Sequence, residues 1–513
     1  MKNKVIIAIV LVLFAVGAWL LLKKPVIQNA QPDAPKLSII YNVEELPGEK
    51  SLVVQVIQSQ LKEAGFEVTL DPVPSGTYYD RTGKSDFDGA FTLWYLDYDD
   101  AEGFLTDFYS QAGYRLSKYS SPQYDSTYLA ALFATTEEEK LTKYREAAAI
   151  LDHDLPWVPL YSNSELFLLR PDMEGFKSNA YQYYDYRRAA VQDIRVASDV
   201  EPGTLDPALA YDLASKHIVT QSYEGLIALD EGNKIVPSLA TSWAFSDAGD
   251  ALTFELRPNV RFHETAFRKA SKAMAASDVK VSFERLIKAN SPYSYIFDHV
   301  VGIDEFKNDS APHVTGFVVD APLRFTIKLK QAFPTILPWL LAPAAYVLPA
   351  EVPRDFDVTK GSCGTGPFVL TGWDGSVARF NANRVYWLSD NGTHLPLAKT
   401  LSIRIMKDAS SLLAAYEQHS LDILSVPLPL FDAVLDKDGK VLPKWSTHRF
   451  REVKLNNLKF IGFNMLSQAW GGDPALRQRV SDALDRQEIV RELFKGKARA
   501  ATSIVPSGMA GFN

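Results

Sequence analysis

Cysteine occurs once in these 513 residues, at Cys363. That excludes an internal disulfide and any cysteine-based metal cluster. It does not argue against export, because a large domain can rest on its apolar core alone. Histidine is also sparse: the eight are scattered, with no H-x-x-x-H or H-E-x-x-H pair, so neither a metal site nor a cofactor is expected. The G-x-S-x-G context of a serine nucleophile is missing. Residues 364–368, GTGPF, lack both the Lys-Ser/Thr of a P-loop and the G-x-G-x-x-G spacing, and read as a turn or crossover hinge. Asp99 and Asp100 adjoin in sequence and would diverge on an extended chain, which makes them a poor general acid/base pair. Positive charge is in deficit, with 54 Lys and Arg against 62 Asp and Glu for a net −8. With no basic patch to offset it, nucleic acid and anionic lipid are unsuitable partners.

Apolar and aromatic residues are plentiful. At 47% hydrophobic and 23% charged the composition is globular, and the length calls for two or three domains. The 23 Tyr and 9 Trp fit either large cores or a cleft lined with rings. Residues 5–22 form an unbroken run of 18 apolar residues between Lys2/Lys4 and Lys23/Lys24, about 27 Å as a helix and close to the hydrocarbon thickness of a bilayer. No cysteine follows that would accept a lipid, and the cleavage-site pattern near Ala30 is weak, so an uncleaved signal anchor is expected, followed by a short tether.

From Leu37 strands and helices alternate. LSIIYN reads as a strand. Val53, Val56, Ile57 and Leu61 fall at helical spacing within 52–64, and Gly65 can end that helix. FEVTL and DFDGAFTLWYLD read as strands, 123–134 and 137–153 as helices, and VPLYSNSELFLL as a strand. Mixed α/β lobes follow. Farther on, residues 239–243 read as a turn entry and Leu252, Phe254 and Leu256 alternate as a half-buried strand. Residues 260–263 read as a second short strand, and Ser277 as the cap of a helix carrying Val279, Val281, Phe283 and Leu286.

The order LATSW, TFELRPNVRFH and ASDVKVS resembles the signature of the extracytoplasmic solute-binding proteins of peptide and nickel ABC importers. The chain departs from it after His263, where Glu264-Thr265 and extra residues replace an Asp-Gly. Further stretches resemble the same family in a changed order. KLSIIYN, WYLDYDD, YSSPQYDS, LDHDLPWVPLY and FLLRPDMEGF resemble its C-terminal third. DIRVASDVEPGTLDPAL and YEGLIALD resemble its opening, GTGPFVLTGWD and HSLDIL its middle, and PALRQRVSDALDRQEIVRELFKGKA the stretch that normally precedes KLSIIYN. The resemblance therefore implies a circular permutant of a two-lobed, type II-like α/β binding-protein fold with an additional third domain; permutation is tolerated where domain termini lie close together. A family helix of the AKKLL-x-EAG type, between the IVPSGM stretch and KLSIIYN, has no counterpart here. The expected division is 1–24 membrane anchor, 25–36 tether, 37–174 second lobe, 175–223 first lobe, 224–358 extra α/β domain, 359–454 first lobe continued and 455–513 second lobe continued.

The resemblance implies a binder rather than an enzyme, one that captures peptides by hinge closure on the outer face of the cytoplasmic membrane, anchored by residues 5–22, and passes them to an ABC permease. A monomer is expected. It places Asp97 against the peptide's α-amino group, the backbone of Trp94 and Tyr95 along its main chain, and Glu201, Pro202, Gly203 and Thr204 on the opposing edge. Tyr293, Tyr295, Tyr183 and Tyr184 are candidate pocket walls. Phe91 or a neighbour stands where some oligopeptide binders carry a cleft arginine, which leaves the ligand's distal end open. The alternatives are a sensor of the same fold, a binder of a nickel chelate or glutathione-like solute and, with no nucleophile or metal motif behind it, a hydrolase.

Overall fold

The computed structural model describes residues 34–45, 48–113, 115–265, 271–353 and 356–512. The expected membrane helix at 5–22 and most of the tether lie outside them. Among the described residues no helix is long and apolar enough to cross a membrane.

The chain begins with Lys36–Asn42 (β1), Glu49–Glu63 (α1) and Glu67–Val73 (β2). Val53, Val54, Ile57 and Leu61 put one face of α1 into the core, so α1 forms the crossover that lets β1 and β2 pair in parallel. Gly65, at φ 87°, turns the chain out of α1 in a conformation few other residues adopt. Gly89–Tyr95 (β3), Pro122–Leu132 (α2), Glu137–Asp154 (α3) and Trp157–Leu169 (β4) follow. Ser121 caps α2 through the Tyr124 amide and Thr136 caps α3 through the Glu139 amide.

Next come Asp193–Ser198 (β5), Leu213–Ser222 (α4), Ala240–Phe245 (β6), Ala251–Leu256 (β7), Ala276–Lys288 (α5), Phe317–Ala321 (β8) and Arg324–Lys328 (β9). The last third supplies Phe368–Trp373 (β10), Val377–Ala382 (β11), Thr400–Ile405 (β12), Ile423–Ser425 (β13), Arg449–Lys454 (β14), Asn457–Phe463 (β15) and Ala498–Ala500 (β16).

Three sheets organise these strands. The largest has eight, ordered β13-β4-β15-β3-β1-β2, with β14 and β16 also paired to β4. Its central strand β15, from late in the sequence, lies antiparallel between β3 and β4 from its start. Residues 423–425 and 449–454, expected in the first lobe, run along β4 of this sheet. A second sheet, β10-β11-β12-β5, brings β5 parallel to β12 across some two hundred residues of sequence. The third, β6-β7-β9-β8, is antiparallel, with α5 against it through Val279, Phe283 and Leu286. The fold is mixed α/β, as the alternating pattern indicates.

Three local readings need correction. The LATSW stretch is not a turn entry, because Ala240–Phe245 forms β6 and pairs with β7. Residues 260–263 make no strand, only an isolated bridge from Arg261 to Ala273, since His263 is drawn away into the core instead. Ser277 does not cap α5. Ala275 stands at the N-cap position, and the Asp278 side chain accepts its amide at 2.8 Å, the half of a capping box that a first-turn carboxylate supplies.

Candidate functional site

Asp97 follows β3 on the WYLDYDD exit from the eight-stranded sheet. Its side chain is 10% exposed. The acidic loop is not solvated: Asp99 accepts the Tyr181 hydroxyl at 2.6 Å, and Asp100 pairs with Lys140 at 3.1 Å. Asp97 Oδ1 receives the ammonium of Lys216 at 3.0 Å, and Oδ2 accepts the hydroxyl of Tyr293. Lys216, 3% exposed, also donates to the Tyr181 carbonyl at 2.9 Å and lies 4.9 Å from the ring centre of Tyr183. A carboxylate, a carbonyl and an aromatic face thus converge on one ammonium, the combination that compensates a cation for lost water.

The partners come from different parts of the fold. Lys216 sits on α4, capped by Asp212 and fastened to the second sheet where Ser222 Oγ donates to the Phe368 carbonyl at 2.8 Å. Tyr293 lies between α5 and β8. Tyr181 and Tyr183 lie in the segment joining β4 to β5. Tyr183 donates to the main-chain carbonyls of Asp97 at 3.1 Å and Leu341 at 3.0 Å. Burial holds the hydroxyls of Tyr183 and Tyr293 well above the usual phenol range, and the charge on Asp97 adds to it.

The other expected residues are distributed around this centre. The Tyr95 hydroxyl reaches the Tyr211 carbonyl at 3.3 Å, and its ring lies 6.0 Å from Lys216 Nζ. Trp94 donates to the Gly103 carbonyl at 2.8 Å. Tyr295 stacks edge-on against Trp339, 5.1 Å between ring centres. Residues 201–204 are loop rather than strand: the amides of Gly203 and Thr204 bond the side chains of Asp212 and Ser215, Glu201 pairs with Lys407 at the surface, and Pro202 has no amide to offer. Tyr184 turns from Asp97 to the buried carboxylate of Glu165, donating to it at 2.6 Å.

Two cavities flank the cluster. One of about 600 Å³ is lined by Tyr183, Tyr184, Gln221, Glu224, Arg257 and Trp387. A smaller one of about 200 Å³ lies between β4, the end of β5 and α4, with Glu165, Tyr184 and His217 in its wall. Burial pushes the Glu165 carboxyl up to about 7 against the opposing Tyr184 hydrogen bond, and pushes His217 down to about 3. His217 shares a hydrogen bond with the Tyr186 hydroxyl at 2.9 Å. A third buried acid, Glu102, takes Tyr98 at 2.9 Å, Tyr128 at 2.7 Å and the indole of Trp339 at 2.9 Å, tying the segment after β3 to the chain that follows β9. GTGPF is a packed turn rather than a cradle: His263 Nε2 meets the Gly366 carbonyl at 2.9 Å, and Gly366 donates to Ser222.

Sequence reasoning missed Lys216, Tyr181 and Glu102. A signal for Lys216 was present. The helix LASKHIVTQS is buried at nearly every position, and a lysine on a helix without a wet face must meet an anion or a carbonyl.

Residues 21–115 and 234–513 match the family described as bacterial extracellular solute-binding proteins, family 5 Middle. The dipeptide-binding protein of Escherichia coli (strain K12) is 26% identical over 332 residues, 62% of this chain and 58% of the relative. A probable di/tripeptide-binding protein 5 of Pseudomonas aeruginosa (strain UCBPP-PA14) is 28% identical over 293 residues, 55% and 52% of the two chains. The chain thus spans little more than half the length of these curated relatives. Among solved structures, the murein tripeptide-binding protein MppA of Escherichia coli superposes with a TM-score of 0.42 at 23% identity, over 48% of each chain. The relatives are binding proteins, not enzymes, and the chain belongs to the bacterial extracellular solute-binding proteins, family 5.

Proposed function

We propose that this chain is the membrane-tethered binding component of an ABC importer, which captures peptides by closure of two lobes and hands them to a permease. The observation that carries the reading is the ammonium site at Asp97. It lies where the eight-stranded sheet, α4 and the extra domain meet, so a cation bound there draws on all three. A peptide's α-amino group offers the same three N–H donors as Lys216 and needs the same partners. The names of the relatives, dipeptide-binding and di/tripeptide-binding, support short peptides as the ligand class.

The main chain of Trp94 and Tyr95 provides the second grip. Their outer edge is paired with β15, but the β1 register on the other side ends at Phe91. A ligand strand laid along β3 beyond Phe91 would be recognised through main chain, a mode indifferent to side chains. Residues 201–204 would contribute carbonyl oxygens, since the amides of Gly203 and Thr204 are taken. Tyr183, Tyr184, Tyr293 and Tyr295 would wall the pocket.

Closure would turn on the strands that cross between units. The chain itself reads as a circular permutant: residues 37–190 correspond to the family's end and 191–513 to its beginning and middle, a reading supported by the late strand β15 lying between β3 and β4. Residues 5–22 would anchor the protein on the outer face of the cytoplasmic membrane, and the tether would raise its concentration near the permease. Native mass spectrometry of the detergent-solubilised full chain with an equimolar peptide mixture tests the function. Retention of short peptides, intact and without hydrolysis, is expected. Retention of a different small solute, or cleavage of the mixture, would refute the reading.

A further inference from the structure

Lys216 is not an ordinary surface ion pair that happens to fall near the site. Its ammonium is buried, directed at Asp97 Oδ1 and the Tyr181 carbonyl, and covered by the ring of Tyr183. With Tyr293 on Oδ2, both oxygens of Asp97 are engaged. A second ammonium cannot reach Asp97 on these terms while Lys216 remains, because the oxygen, the carbonyl and the ring face that would compensate its desolvation are in use. Yet Lys216 belongs to α4, which Ser222 fastens to the second sheet, whereas Asp97 lies on the exit of β3 from the eight-stranded sheet. The pair therefore spans the two units that closure brings together.

We propose that Lys216 is a built-in competitor for the amine site. Its side chain fills the ammonium position and latches the units together when no peptide is bound, and a peptide must expel it to dock its own amino terminus. This inference rests on the reading of Asp97 as the ligand's amine-binding carboxylate. It adds a selectivity that the bare site would lack. Any ligand with a free amino terminus competes with an amine that is always present, so its apparent dissociation constant is the intrinsic one divided by the fraction of molecules in which Lys216 has left. Only ligands with enough further contacts along β3 and the pocket walls make up that difference, and a free amino acid or simple amine does not. A long flexible side chain suits this use, since four rotatable bonds let the ammonium swing out without moving α4.

The test uses the intact chain and two substitutions. Lys216→Ala vacates the ammonium position, and n-butylammonium is the probe. The amine should raise the thermal midpoint of Lys216→Ala in a saturable way, leave the wild type unmoved, and lose its effect when Asp97→Asn is added. Lys216→Met keeps the packing of the stem and should bind short peptides with a free amino terminus at least about tenfold more tightly than the wild type does, with N-acetylated peptides unchanged. Lysine-acylation mapping of the wild type does not depend on either variant folding: Lys216 should be protected without peptide and labelled when peptide is bound. If butylammonium rescues Lys216→Ala but no peptide binds any form, the peptide reading falls and the competitor role at the amine site stands. If peptides bind wild type and Lys216→Met alike and the amine rescues nothing, Lys216 is a structural partner only and the inference falls, with the peptide reading intact.

Discussion

Arg195 and Asp422 hold each other through main chain and side chain at once. The amide and Nε of Arg195 both donate to Asp422 Oδ2, at 2.8 and 3.0 Å, Nη2 donates to Oδ1 at 2.7 Å, and the Asp422 amide returns a 2.8 Å bond to the Arg195 carbonyl. Arg195 is on β5 of the second sheet, and Asp422 immediately precedes β13 at the edge of the eight-stranded sheet. The pair is a clasp where the chain crosses between the two units. The carboxylate is almost fully buried and the guanidinium half exposed.

Asp422→Ala should therefore cost more than a surface pair would. Removing a buried acceptor leaves the Arg195 amide without its partner and loosens the clasp, at about 1–3 kcal/mol. Urea denaturation measures the loss, and a change below about 0.5 kcal/mol would place the pair with ordinary surface bridges.

Asp97→Ala should lower both stability and peptide affinity. Lys216 would remain buried without its anion, a loss on the order of 3 kcal/mol in unfolding free energy. The peptide amine would lose its charge-assisted bond, at least ~1.5 kcal/mol in affinity. Calorimetric titration and thermal melts read the two effects separately. Unchanged peptide affinity would contradict the role given to Asp97.

Acid dependence should show two opposing contributions. Asp107, buried and accepting the Leu116 amide, is raised by burial from 3.8 to about 7, and Glu165 is likewise raised to about 7. In the native state these acids keep protons that the unfolded chain has released, so their contribution is complete below about pH 4 and is lost as pH rises to 7. His217, lowered to about 3 by burial, works the other way: it stays neutral when folded, and its contribution is lost as pH falls below 6.5. His217→Gln should expose the first effect, with urea midpoints that fall from pH 5 to pH 7 more steeply than those of the wild type. Parallel profiles would contradict the account of these groups.

Gly364→Ala should destabilise the chain by about 1–3 kcal/mol through overpacking. A Cβ there would lie 2.2 Å from the Ser222 carbonyl oxygen, which is main chain and cannot swing aside. Gly372→Ala, where nothing lies within 4 Å of the added carbon, is the control and should stay within about 0.5 kcal/mol.

The elements that rest on local pattern were legible in the sequence. α1, α3, β3 and β4 fall where periodicity and turn residues put them, within two or three residues. What failed locally failed for tertiary reasons. Ala240–Phe245 is a strand because β7 pairs with it, not because of its own residues, and 260–263 is no strand because His263 reaches Ser362 and Gly366 instead. The site was half legible. Motif context named Asp97 and the tyrosines as candidates, and Tyr183 and Tyr293 do touch Asp97. Lys216 came from 119 residues farther along the chain, and no spacing rule reports a contact of that length. The fate of 201–204 was equally hidden, since it depends on Asp212 and Ser215 drawing those amides inward.

Amine recognition at Asp97 is most directly examined by calorimetric titration of the intact chain with one short peptide, free and N-acetylated. The free peptide should bind, and acetylation should weaken it at least about tenfold through loss of the charged donor. Equal affinity for the two forms, or heat from neither, would contradict it.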